Sequence, residues 1–270
     1  MSNNEQFQQV LKDLQQKNSQ RMLSIWLPSL KKGVNFRHLT LNQQKVLIKS
    51  SVRENLLKLD FSRNIYSILQ ENLAEPDVNL DTLTTLDMMC IGLAYRAADI
   101  SNEYGFYIDD KLHPVDLNNI LKKARTIDYT DAIKPHVIQS DGYHVTVSVP
   151  SIIVDKQMND YLFEKYSDIP DDADAIKDML ADVYICEAAK YIQKMDVIAK
   201  DDDAESPPVA VDFTGFTPAQ RIKLLDQIPL TVLNRLVDVS DKIQDIESEL
   251  LDVDLDGETA TIEINSAFFT

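Results

Sequence analysis

Val137-Ile138-Gln139-Ser140-Asp141-Gly142-Tyr143-His144-Val145-Thr146-Val147-Ser148-Val149 is the stretch on which the fold class turns. From Tyr143 to Val149 an aromatic and then β-branched residues recur at every second position, the period of a strand with one face buried. Asp141-Gly142 supplies the residues that a two-residue turn requires, so Val137-Ile138 reads as the partner strand. The apolar period elsewhere is mostly helical. The expectation is an α+β, helix-dominated chain with short antiparallel strands or hairpins near 25–37, 137–149 and 252–264. A wholly helical 137–149 would refute it.

Towards the N-terminus, residues 4–23 read as a polar helix rich in Gln and Lys. Its apolar points, Phe7, Val10, Leu11 and Leu14, form a narrow stripe suited to docking on a partner or on the body of the protein. The extended segment Ile25-Trp26-Leu27-Pro28-Ser29-Leu30, the turn Lys31-Lys32-Gly33 and Val34-Asn35-Phe36-Arg37 predict a hairpin. Thr40-Leu41-Asn42-Gln43 has the capping-box form. It opens a helix with Val46, Leu47, Ile48, Val52, Leu56, Leu57 and Leu59 on its apolar face. Ile65–Leu73 follows as a second helix. A third begins near Leu80, capped by Asp81 or Thr82, with Leu83, Leu86, Met89, Cys90, Leu93 and Ala97 at helical spacing. A short fourth spans Leu117–Arg125, after His113-Pro114.

Towards the C-terminus, Lys156–Tyr166 and Asp174–Met195 are expected to be helical. Asp201-Asp202-Asp203-Ala204-Glu205-Ser206-Pro207-Pro208 is the best linker candidate, acidic and stiffened by proline. Phe216-Thr217-Pro218-Ala219-Gln220 opens the helices of 217–250, which are expected to pack on those of 156–195. The strand Thr259–Ile264 then leads to Phe268-Phe269-Thr270. Two terminal phenylalanines would leave a large apolar surface in water, so this end is expected to be docked. On strand geometry successive side chains point to opposite faces. At least one of the pair is therefore expected to meet a partner subunit or a second element of the fold. The segments divide as a helical extension (1–23), a mainly helical unit (24–130), a strand hairpin with helices (131–200), the acidic linker (201–208) and a helical segment ending in a strand (209–270). The last could join 131–200 as one domain.

With 44 acidic and 27 basic residues the 270-residue chain carries a formal net charge of -17. That balance opposes nucleic-acid binding and anionic membrane surfaces, which draw affinity from Lys and Arg. No apolar run approaches the ~20 residues of a membrane span. Cys90 and Cys186 lie in apolar helical stretches and read as small buried residues, not as a disulfide framework or zinc site. The polar start Met1-Ser2-Asn3-Asn4-Glu5-Gln6 shows no signal-peptide pattern, so a reducing cytosol is the expected compartment.

One metal motif fits by spacing. Asp252, Asp254 and Asp256, with Gly257 and then Glu263, satisfy the calcium-loop expression. An exiting helix is required there, whereas Thr259-Ala260-Thr261-Ile262 alternates like a strand. Asp256-Gly257 therefore reads as a hairpin turn, with a calcium-binding interaction module as the alternative. His38, His113, His136 and His144 show no ligand spacing. Ser29 and Ser151 follow proline without a nucleophile-elbow surround, and the six glycines form no phosphate-cradling cluster. No catalytic, cofactor-binding or metal residue is assigned, and the chain does not read as an enzyme.

Three blocks in order carry a family resemblance. The first is Ile25-Trp26-Leu27-Pro28-Ser29, then Val34–Thr40 leading into Gln43-Gln44-Lys45-Val46-Leu47-Ile48. The second runs from Asn79-Leu80-Asp81-Thr82-Leu83-Thr84-Thr85-Leu86-Asp87 to Leu93-Ala94-Tyr95-Arg96-Ala97-Ala98. The third is the helix at 217–228 with Pro229 and the ending at Ile262–Phe269. Together they resemble the baseplate hub and hub-assembly proteins of T-even-like contractile-tail bacteriophages, over most of residues 22–270. Many members of that family carry Cys-x-x-Cys zinc hairpins. The corresponding regions, around 128–149 and 252–264, contain no cysteine, so no zinc site is carried over. The resemblance implies a non-enzymatic late protein of virion assembly, a tail baseplate hub subunit or hub-assembly factor. Its expected partners are other hub or tape-measure proteins, with homo-oligomers possible, in the virion tail baseplate or the infected host cytoplasm. A tape-measure chaperone that leaves before maturation is the runner-up.

Overall fold

The computed structural model describes residues 3–52, 59–166, 172–198 and 209–270. Helix α1 (Asn3–Gln20) leads into β1 (Met22–Leu27), which pairs antiparallel with β2 (Lys32–Arg37). Met22 and Leu23, expected in the N-terminal helix, belong to the strand. The turn falls at residues 28–31, earlier than the expected 31–33, with Lys31 at φ 50°. Ile25, Leu27, Val34 and Phe36 alternate onto one buried face.

Helix α2 (Leu41–Val52) starts at the expected capping box. Thr40 N–H donates to Gln43 Oε1 at 3.0 Å, and Gln43 N–H to Thr40 Oγ1 at 3.2 Å. Leu56 and Leu57, expected in the same helix, lie outside the described residues, and Leu59 begins α3 (Leu59–Asn72). The next helix starts later than expected. Leu80–Thr82 is a 3-10 turn, and α4 (Thr85–Tyr95) is capped by Thr84, because Asp87 three residues on supplies the reciprocal acceptor. Leu83 therefore precedes this helix, and Ala97 falls in a π-helical turn, Arg96–Ile100.

The hairpin β3 (Glu103–Ile108) and β4 (Lys111–Asp116) is an addition to the expected strands. Short helices α5 (Leu117–Lys123) and α6 (Thr130–Ile133) follow. Strands β5 (His136–Ser140) and β6 (Tyr143–Val147) pair across Asp141-Gly142, as the sequence predicts. Helices α7 (Ile152–Lys165) and α8 (Ala173–Tyr191) come next. The helical reading of 174–195 overruns. Ile192 leaves the helix, and β7 (Ile192–Val197) lies between β6 and β8 (Val209–Asp212) in an antiparallel sheet ordered β5-β6-β7-β8. Burial of Ile192 and Met195 against the second core, with ladder bonds on both sides, outweighs the helical continuation. The linker 201–208 lies outside the described residues.

Thr217 caps α9 (Pro218–Leu225) through a capping box with Gln220 and a proline in its first turn. Helix α10 (Leu230–Leu251) then feeds β9 (Asp252–Leu255) and β10 (Glu258–Thr261), and a final 3-10 turn spans Ser266–Phe269. The fold is α+β and helix-dominated, with short antiparallel strand pairs.

Two apolar clusters organise these elements. The first gathers residues from β1 through α5 with Leu250, Leu251, Val253, Leu255, Ile262, Phe268 and Phe269. The second gathers Tyr129 to Ile243, and Leu86 of α4. Segment 209–270 thus serves both: α9 and most of α10 face the second cluster, and residues 250–269 return to the first. Phe268 and Phe269 do not follow the alternating strand geometry expected of them. The 3-10 turn places both rings on one side, 1% and 0% exposed. Phe269 packs on Phe61 (centroids 5.8 Å apart) and Phe268 on Tyr104 (5.2 Å). The second element expected to receive them is α3 and β3 of the same chain. Phe269→Ala should cost about 3–5 kcal/mol in a urea melt. Removing residues 268–270 should lower the melting temperature far more than removing residues 1–6.

Candidate functional site

Most side chains with chemical potential hold the fold together. Asp87, wholly buried, accepts from Ser29 N–H at 3.0 Å and from Thr84 N–H at 2.7 Å, tying the β1–β2 turn to the start of α4. Ser151 caps α7, its hydroxyl accepting from Val154 N–H. His38 pairs with Asp99, which also accepts from Leu39 N–H at 2.8 Å. His113 lies 3.6 Å from Asp256, and His136 contacts the Asp131 carbonyl. His144 pairs in register with Gln139 and Asp196 within the sheet. Cys90 and Cys186 are free and buried, and burial pushes each thiol up to about 12, which keeps it protonated and inert.

The acidic motif at 252–263 forms a hairpin. Asp256 (φ 59°) and Gly257 (φ 96°) make the turn between β9 and β10, and Gly257 N–H donates to Asp254 Oδ1 at 2.8 Å. Asp252 accepts from the Thr261 hydroxyl across the strands, and Asp256 faces Lys111 and His113. After Glu263, where a helix must leave a calcium loop, the chain forms only the short 3-10 turn Ser266–Phe269. Among the described residues no group of three or more His, Cys, Asp or Glu could hold a metal ion.

A buried polar joint, which no sequence spacing indicates, links α7, α8 and α3. Lys190 Nζ lies 2.9 Å from Asp155 Oδ1, 2.5 Å from Glu187 Oε1 and 3.2 Å from Asn159 Oδ1, with 6% of its side chain exposed. Asn159 in turn donates to Asp155 Oδ2 and to Ser62 Oγ of α3, each at 3.0 Å. Burial alone would push the ammonium towards neutrality. The charges of Asp155 and Glu187 outweigh it and raise the Lys190 pKa above its ordinary value. Beside it, Glu247 accepts from the Thr85 hydroxyl at 3.2 Å. Burial pushes its carboxyl up to about 7. The Thr85 hydrogen bond and Lys190 oppose the rise, and Asp155 and Glu187 add to it. Sealed from solvent, Lys190 cannot reach a substrate. The joint fixes three helices to one another.

One surface open to interaction is that of α1. Phe7, Val10, Leu11 and Leu14, the stripe read from the sequence, are 61%, 57%, 39% and 52% exposed. The opposite surface carries Gln9 bonded to Asp13 at 2.9 Å, one turn apart. Among the described helices none is long and apolar enough to cross a membrane. Comparison with protein-family models, with curated proteins and with solved structures finds no match to this chain.

The Glu247 carboxyl gives a pH signature with a definite sign. Between its ordinary value of 4.5 and about 7 the folded state holds more protons than the unfolded one. Folding stability should therefore fall as pH rises through that window and level off above it. Glu247→Gln should flatten this slope and raise stability at pH 8 by on the order of 1–3 kcal/mol, read by urea denaturation at pH 5 and 8.

Proposed function

We propose that this chain is a non-enzymatic assembly protein of a contractile-tail bacteriophage, a baseplate hub subunit or hub-assembly factor that works through protein–protein contacts. The observation that carries the contact part of this reading is the apolar stripe of α1, which extends from the hairpin with its four large side chains in solvent. A docked amphipathic helix presents anchors at this spacing to a groove on its partner. The family part rests on the three sequence blocks that resemble hub proteins. The charge of -17 suits a partner with basic surfaces and keeps copies of the body apart.

Mass spectrometry of purified mature particles tests the subunit reading. Stoichiometric presence supports it. Absence, with α1-dependent binding of the tape-measure protein in infected cells, would favour the chaperone that leaves before maturation. The double substitution Leu11→Glu/Leu14→Glu should abolish tail assembly while leaving the circular dichroism melt of the body within about 0.5 kcal/mol of the parent. Unchanged assembly in that variant would remove α1 as the contact.

A further inference from the structure

The outer edge of β1 borders a groove of about 360 Å³ that the assembly reading does not use. It is lined by four consecutive strand residues, Leu23, Ser24, Ile25 and Trp26. Successive strand side chains point to opposite faces, so a cleft on a face meets only alternate residues. A cleft touched by four in a row runs along the backbone edge. That edge is free: β1 belongs to a two-stranded sheet and pairs only with β2 among the described residues. The row of N–H and C=O groups is the template that an added strand uses.

The opposite wall defines the chemistry of the occupant. Ala94, Ala97 and Ala98 keep it shallow, the last two in the π-helical turn that follows α4. Beyond them stand Lys122, in the last turn of α5, Arg125, just after it, and Asn118. No carboxylate lines the groove, although acidic residues outnumber basic ones 44 to 27 in the chain. Lys122 reaches only the Asn119 amide oxygen, at 3.4 Å, and Arg125 forms no ion pair among the described residues. Two exposed, uncommitted cations beside an open strand edge are complementary to carboxylates on an extended backbone.

We propose that this groove binds an extended acidic segment of a partner protein as a third strand beside β1. The occupant's carboxylates meet Lys122 and Arg125, and its small apolar residues meet the alanine wall. Four paired residues span about 13 Å at ~3.3 Å per residue, the length of Leu23–Trp26. The site lies apart from the α1 stripe and draws on the assembly reading only in taking a protein as its occupant.

Trp26 is the chain's single tryptophan, so its emission reports directly on the groove. The purified full-length chain is titrated with the peptide acetyl-Val-Asp-Val-Asp-Val-Asp-amide, and in parallel with the same peptide carrying Lys for Asp. The acidic peptide should shift Trp26 emission saturably, slow hydrogen exchange at the amides of 23–26, and bind at least 10-fold more tightly than the lysine peptide. Lys122→Glu/Arg125→Glu, at two exposed positions, should weaken the acidic peptide at least 10-fold without changing the thermal melt. No emission change up to millimolar peptide would overturn the proposal. So would equal responses to both peptides, or binding that slows no exchange at 23–26. Because no particle is involved, such a failure leaves the assembly reading untouched.

Discussion

Burial of Phe268 and Phe269 among residues of the first half of the chain is the constraint on which the architecture depends. Their rings meet Phe61 and Tyr104, and the Phe269 carbonyl accepts from the Gln44 side chain. Once the two segments are joined, everything from Tyr129 to Ile243 becomes an insertion that must leave the first cluster and return to it. Helix α10 makes the return. Val232, Leu236 and Ile243 face the second cluster, whereas Leu250 and Leu251 face the first. Helix α7 does the same at its start, with Ile152 in one cluster and Val154, Met158 and Leu162 in the other.

The Lys190 joint lies on this same pair of struts. Replacing its charges with well-packed apolar groups could be neutral for stability, but removing one partner strands the others in a dry site. Its value is geometric. Lys190 accepts only one arrangement of α7 and α8, and Asn159 extends that arrangement to α3 through Ser62. Close packing elsewhere is equally specific. A Cβ on Gly92 would stand 2.8 Å from the Ile264 side chain, so α4 and the C-terminal segment approach as only glycine allows.

What could be read from the sequence were the features with local causes. Thr40 with Gln43, the helix start at Phe216-Thr217-Pro218-Ala219-Gln220, Asp141-Gly142 and Asp256-Gly257 each carry their own hydrogen bonds or backbone preference, and each forms where expected. The β3–β4 hairpin was hidden because its turn is Asp109-Asp110. Both residues take the left-handed conformation (φ 48° and 60°) without the glycine that usually signals it. The end of α8 was hidden because no Gly or Pro marks it, and the switch at Ile192 is made by sheet pairing. Of the surfaces, the α1 stripe was legible from spacing alone. The β1 groove was not, since its walls come from a strand, a π-helical turn and α5, which share no sequence interval.

The contact between Gln44 and Phe269 spans 225 positions, and that separation bears on how the protein is made. Contacts this remote must meet their loop-closure entropy before they contribute anything, and folds dominated by them form slowly. Elements β1 to α5 are synthesised first, yet the apolar face they share stays open until residues 250–269 have been made. The second cluster, drawn from Tyr129 to Ile243 and from Leu86 of α4, needs no residue beyond Ile243 and is free to form before that. During that interval the first half of the chain exposes the aggregation-prone surface that cells manage with chaperones.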